Sequence, residues 1–339
     1  MVSAGIHTTD FPTKGIRPDG ADGPSHAPEY PPGPQAKMSA DVSLAALFAW
    51  DTGASILPES YARLRQDPAY PRAVRRLIRT MLEAAADDPA LDGIFKDAGR
   101  KVAALAAAHL HMSGGISLPR LKSLMAEFGL ASPGRARALL LYMIYLGFVE
   151  AKPLRETGAP ARYLATEKFL ATYRRHLALL AEALAVLAPA AGEIASDIEN
   201  PIVFDSFIRH LMHGFLYETR QGHDVDAYHH VFLHRNAGTQ ILYRLLDAAP
   251  DHVFPPDVPV PFAIATEARR FKVSRMHVRR MLAAGEAAGL IAVRNRAVLF
   301  TPAGRTAVEW VFATKMIVYL GAAARTLRDR AAAVGHIAA

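Results

Sequence analysis

From about Val42 onward, apolar residues recur three and four positions apart, the spacing that lays one buried stripe along a helix. The segment from Ser274 to Ala303 departs from that rhythm. Val278, Met281, Leu282, Gly285 and Ala288 form a helical stripe, and Ser274 just ahead of them can cap the helix by accepting a bond from a first-turn N–H. Gly289 suits the residue that ends a helix in a left-handed conformation. Ile291-Ala292-Val293 and Ala297-Val298-Leu299-Phe300 then read as strands, with Arg294-Asn295-Arg296 at the turn between them. A new helix opens at Thr301. The expectation is helix, tight hairpin, helix.

The same landmarks occur earlier in the chain. Asp97-Ala98-Gly99 matches Asn236-Ala237-Gly238 at a spacing of 139, each expected to open a helix with Asp or Asn as its cap. Ser132 matches Ser274, and Leu146-Gly147-Phe148-Val149 matches Ala288-Gly289-Leu290-Ile291, both at 142. Tyr163-Leu164-Ala165-Thr166 matches Val298-Leu299-Phe300-Thr301 at 135, so the first hairpin is about seven residues longer. Landmarks in one order, drifting only in loops, indicate an internal duplication. The expected organisation is a disordered Pro/Gly-rich tail over 1–40 and two repeats over 41–190 and 191–339, with the seam near Ala188-Pro189-Ala190-Ala191-Gly192. Each repeat is expected to have leading helices, a three-helix unit with a hairpin, and a long trailing helix. The stretch Ala73–Ala85 also carries a basic face of Arg75, Arg76 and Arg79.

Composition narrows the function. There is no cysteine, which excludes disulfides and thiolate metal sites and fits a reducing cytoplasm. The formal charge of +7 and a pI near 9.6 favour a polyanionic partner. The N-terminus shows no apolar signal segment. The most apolar helix, expected over Ala307–Ala324, carries Glu309 and Lys315, so it is not expected to span a membrane. Nucleotide-binding glycine loops, a GxSxG elbow and an HExxH motif are all missing, so neither an enzyme nor a cofactor is expected.

A helix followed by a basic-tipped hairpin is the reading helix and wing of a winged helix-turn-helix. Phe271-Lys272-Val273-Ser274, Ala288-Gly289-Leu290-Ile291 and Leu299-Phe300-Thr301-Pro302-Ala303-Gly304-Arg305 resemble the corresponding segments of MarR-type winged-helix transcription regulators. The resemblance covers about 60 to 70 residues per repeat. It implies sequence-specific binding of double-stranded DNA by a dimer, often under control of a small ligand. The expected fold class is therefore mainly α with small β-hairpin wings, a tandem winged helix-turn-helix pseudo-dimer. Fusing two copies in one chain leaves further homodimerisation open.

The charges fit that reading. Between Arg269 and Arg305 there are nine Arg/Lys residues, and Glu286 is the only acid. Met276, Arg280, Ala283 and Ala287 fall on the outer face of the helix, with Arg275, His277 and Arg279 on its flanks. Arginine can donate two bonds to guanine in the major groove, and small alanines allow close approach. Arg269, Arg270 and Lys272 ahead of the helix are placed for phosphates, and Arg294 and Arg296 for backbone or minor-groove contact. In the first repeat the matching candidates are Arg120, Lys122, Ser132, Arg135, Arg137, Arg155 and Arg162. There the outer face further along carries Leu141 and Tyr145, which is apolar.

Six of the 14 histidines fall between His210 and His234. His210 and His213, and His230 and His234, share helix faces, which makes them weak candidates for a metal site or for a pocket at the seam that takes a small-molecule effector. The leading expectation is a cytoplasmic, nucleoid-associated transcription regulator that binds double-stranded DNA. The alternatives are a replication initiator or nucleoid-associated protein, and a non-DNA-binding scaffold or ligand sensor.

Overall fold

Caps and glycines written into the chain set most of the helix ends. The computed structural model describes residues 43–53, 58–129, 132–152, 161–221, 226–248 and 253–337. The expected tail over 1–40, and with it Arg155 and His223, lies outside the described residues. The first half contains α1 (Pro58–Gln66), α2 (Tyr70–Asp87), α3 (Pro89–Phe95), α4 (Ala98–Met112), β1 (Ile116–Ser117), α5 (Leu118–Glu127), α6 (Pro133–Tyr145), β2 (Val149–Lys152), β3 (Arg162–Ala165) and α7 (Glu167–Leu184). Short turns at Pro189–Ala191 and Gly192–Ser196 lead to α8 (Pro201–Arg220), and a π-helical turn at His229–Leu233 leads to α9 (Gly238–Asp247). Then come β4 (Val260–Pro261), α10 (Ile264–Arg270), α11 (Arg275–Ala287), β5 (Ile291–Arg294), β6 (Ala297–Phe300) and α12 (Pro302–Ile337). The fold is mainly helical with two small antiparallel sheets.

The same helix–strand–helix–helix–strand–strand order runs through both halves, and the sheets have the same strand order, β1-β3-β2 and β4-β6-β5. Register agrees too: Val149 faces Ala165 as Ile291 faces Phe300. At the base of each hairpin one threonine closes a latch. Thr166 Oγ1 donates to the Gly147 carbonyl at 2.7 Å, and Thr301 Oγ1 to the Gly289 carbonyl at 2.5 Å. The same threonines donate their N–H groups to Phe148 and Leu290. Both glycines have positive φ, 67° and 69°, which only a residue without Cβ adopts freely. Ser132 and Ser274 cap α6 and α11 as expected, accepting from the N–H of Arg135 and His277.

Three expectations need correction. Asp97 does cap α4, but Asn236 does not cap α9. The π-turn before α9 inserts an extra residue, so Ala237 becomes the cap in a left-handed conformation and Asn236 lies outside the helix. Ala288 is exposed, one residue beyond the end of α11, so the buried stripe stops at Gly285. Each sheet also has a third strand, β1 or β4, only two residues long and too short to show any periodicity.

The flanking helices cross the seam. In its own half α2 packs against α7, and it also packs against α9 of the second half; α8 packs against α12 and against α4 of the first. One continuous cluster of buried residues therefore runs through both halves. The expected basic face on α2 is divided by this packing. Arg75 is only 2 % exposed and donates to the carbonyls of Asp247 (3.2 Å) and Val253 (2.6 Å), and Arg79 bonds the Asp247 carboxylate at 3.2 Å. Arg76, the remaining member of that face, is exposed. The trailing helix α12 runs well past the expected Ala307–Ala324. It is long and apolar enough to cross a membrane, yet 72 % of its most apolar window is buried inside the chain, as befits the central helix of a bundle.

Candidate nucleic-acid interface

The α10–α11 turn and the hairpin after it carry the candidate surface. The α10 helix ends at Arg270, and Lys272 turns the chain with φ 53°, a left-handed position. Ser274 then starts α11 with Val278, Met281, Leu282 and Gly285 facing the core. Gly285 lets the β5–β6 hairpin approach, because a Cβ there would stand 2.8 Å from Ile291 Cδ1. This packing leaves Arg275, Met276, Arg279, Arg280, Ala283 and Ala287 exposed on the opposite face, as the helical wheel predicts. Asn295 and Arg296 both have positive φ (49° and 61°), the pattern of a tight two-residue hairpin turn. The turn holds Arg294 and Arg296 exposed at the hairpin tip.

Charge on this surface is left uncompensated. Arg269, Lys272, Arg275, Arg279, Arg280, Arg294 and Arg296 are exposed, and none has a carboxylate partner among the described residues. Arg270 is the exception, 3.8 Å from the buried Glu267, which Arg244 also approaches at 3.6 Å. Glu286, the one acid between Arg269 and Arg305, accepts the Val293 N–H at 2.8 Å and so is engaged in holding the hairpin to the helix. His277 differs from the expectation. Its Nε2 bonds the Asn236 carbonyl at 2.7 Å, which ties α11 to the loop before α9.

The first unit spends its cations differently. Arg135 turns inward onto the buried Asp97 carboxylate at 2.9 Å, which Arg100 also approaches at 3.3 Å. Arg120 donates to the carbonyls of Ser113 and Gly115, and Arg162 to that of Gly114, so both brace the loop before β1. Lys122 is half-buried, and Arg137 is exposed. Further along α6, Leu141 is 54 % and Tyr145 84 % exposed, so the apolar outer face is present as expected. Ser132 and Ser274 spend their hydroxyl oxygens as helix caps.

Among the described residues the histidines do not assemble into a metal centre. His210 bonds Asp329 at 2.9 Å, alongside Ser206 and Arg209. Burial pulls the His210 imidazole below its usual range. Burial pushes the Asp329 carboxyl up, but hydrogen bonds from Ser206 and His210 outweigh it and leave the group lowered. His213 and His230 are exposed, and no three metal-ligating side chains converge among the described residues. Comparison of the chain with protein-family models, with curated proteins and with solved structures gives no match.

Proposed function

We propose that the chain is a sequence-specific, double-stranded DNA-binding transcription regulator, a winged helix-turn-helix pseudo-dimer resembling MarR-type proteins and acting on the nucleoid. The observation that carries this reading is the set of seven exposed cations without carboxylate partners among the described residues, clustered on α10, the turn to α11, α11 and the β5–β6 hairpin. Leaving that many like charges uncompensated on one small surface costs stability through self-repulsion, and a polyanion removes the cost. The repeated element order and sheet order support two such units in one chain.

The two units divide the work. Arg275, Met276, Arg279 and Arg280 meet base edges or the flanking phosphates, and Arg269, Arg270, Lys272, Arg294 and Arg296 meet the backbone. With Arg135 held by Asp97, the first unit contributes mainly through Arg137. An asymmetric protein reads an asymmetric site, because operator symmetry mirrors protein symmetry. Selection from a random duplex pool followed by footprinting tests this: one asymmetric protected site is expected. A palindrome bound by one chain, with equal protection of both halves, would refute the division of labour.

A second reading, a protein-binding scaffold, is favoured by the exposed Leu141 and Tyr145 on α6. It predicts duplex binding that is weak and indifferent to salt.

A further inference from the structure

Where the two halves meet, they enclose a cavity of about 420 Å³, in the size range of small-molecule sites. Helices α2, α3, α4, α7, α8, α9 and α12 all contribute to its wall. Most of that wall is apolar, including Leu77, Met81, Leu105, Leu177 and Leu211. Exposed Gly129, Thr219 and Asp226 mark its rim.

Two lysines stand in this apolar wall, one from each half: Lys101 on α4 and Lys315 on α12. Lys101 Nζ donates to the Tyr243 hydroxyl at 3.2 Å and lies 4.7 Å from that ring's centre and 5.1 Å from that of Phe95. Lys315 Nζ lies 4.9 Å from the centre of the Phe312 ring. Neither ammonium has a carboxylate partner among the described residues. Asp97, the nearest acid to act on Lys101, is already engaged by Arg100 and Arg135. Glu218 and Asp226 also line the cavity, Asp226 at its rim. Two further wall atoms, His176 Nδ1 and Thr239 Oγ1, are buried without any hydrogen-bond partner. Buried polar groups are ordinarily satisfied, so unpaired polar atoms around an open volume indicate a missing polar partner.

Burial pulls the Lys101 ammonium down to about 7 and lowers Lys315 as well, with the neighbouring Lys101 charge adding to the effect on Lys315. Both shifts are the signature of cations held without a counter-ion. Replacing two such lysines with apolar residues would pack better, so their presence calls for an explanation beyond folding.

We propose that this cavity binds a small apolar carboxylate, with its anionic end between Lys101 and Lys315 and its apolar body against the leucine-lined wall. Thr239 and Tyr243 supply further hydrogen bonds to the carboxylate end. The inference concerns the cavity alone and stands whether or not the chain binds DNA.

The test uses the full chain and three carboxylates, benzoate, naphthoate and decanoate, each paired with its neutral amide. Binding is read by titration calorimetry and by the fluorescence of Trp310, which lines the cavity. At least one acid is expected to bind saturably, with its amide weaker by about tenfold or more, the worth of one charge-assisted bond. Lys315→Met and Lys101→Met are expected to weaken that acid by a similar factor while melting no lower than wild type, so lost binding is not lost folding. Above neutral pH, binding should take up protons as it recharges Lys101, visible as a buffer-dependent heat. Equal affinity for acid and amide, undiminished affinity in both lysine variants, or no saturable binding by any of the three acids would each overturn the proposal.

Discussion

Replacing Arg75 with methionine tests the claim that the two halves fold around one core. The guanidinium is buried on the first half, yet the carbonyls it reaches among the described residues, Asp247 and Val253, belong to the second. Asp247 is the last residue of α9, where carbonyls have no partner within the helix and the dipole favours a cation. Each charge-assisted bond is worth about 1.5–3 kcal/mol, and its loss leaves a buried acceptor unsatisfied. Methionine keeps most of the aliphatic stem, so little cavity is added. The expected cost is about 3–6 kcal/mol, the sum of two such bonds. Arg76→Met is the control: Arg76 is exposed on the same helix and should change stability by no more than about 0.5 kcal/mol. Urea unfolding followed by tryptophan fluorescence and by far-UV circular dichroism reads both quantities. A single transition, coincident in the two signals and shifted to lower urea in Arg75→Met, is expected. A shift below about 1 kcal/mol, or two transitions of which only one moves, would refute the shared core.

Three further outcomes follow from the packing and electrostatics. Gly304→Ala should destabilise the chain by about 3 kcal/mol or more, seen as a lower melting temperature, because a Cβ there would fall 1.8 Å from the Leu290 carbonyl oxygen. The matching position in the first half holds the fully buried Phe169, so α7 and α12 approach their hairpins differently and a reciprocal Phe169→Gly should instead leave a void and cost about 3–5 kcal/mol. Burial, with Lys101 alongside, holds His176 at about 3, against an unfolded value near 6.5. The unfolded chain therefore takes the proton first as pH falls below about 6.5, so stability is lost from there down to about 3, and His176→Phe should flatten that part of the stability-against-pH curve.

Much of the local structure was legible because it depends on residues close in sequence. Ser132 and Ser274 cap helices through their own first turns, Gly147 and Gly289 end them with positive φ, and Thr166 and Thr301 sit where the hairpins close. Their shared spacing makes the repeated order of elements legible in the sequence. Long-range choices left no such trace. Nothing near Arg75 in sequence distinguishes it from Arg76, yet one is buried across the seam and the other is exposed. Arg135 looked like a groove-facing cation until the fold brought it to Asp97, 38 positions away. The cavity lysines were missed, although each stands in an apolar helix. Lys315 lies between Phe312 and Met316 in an apolar helix, where its sequence speaks against a membrane span but does not show the cavity it faces.

The most direct test of the central claim is equilibrium binding to a mixed-sequence duplex across a salt series, with wild type beside the triple variant Arg275→Ala, Arg279→Ala, Arg280→Ala. All three side chains are exposed and free of carboxylate partners among the described residues, so the variant should fold. Each phosphate contact contributes a slope of about −0.9 in log K against log salt. The account predicts a steep wild-type slope that flattens by about 2 to 3 units in the variant. Weak binding that ignores salt in both proteins, or a steep slope that the three substitutions leave unchanged, would contradict it.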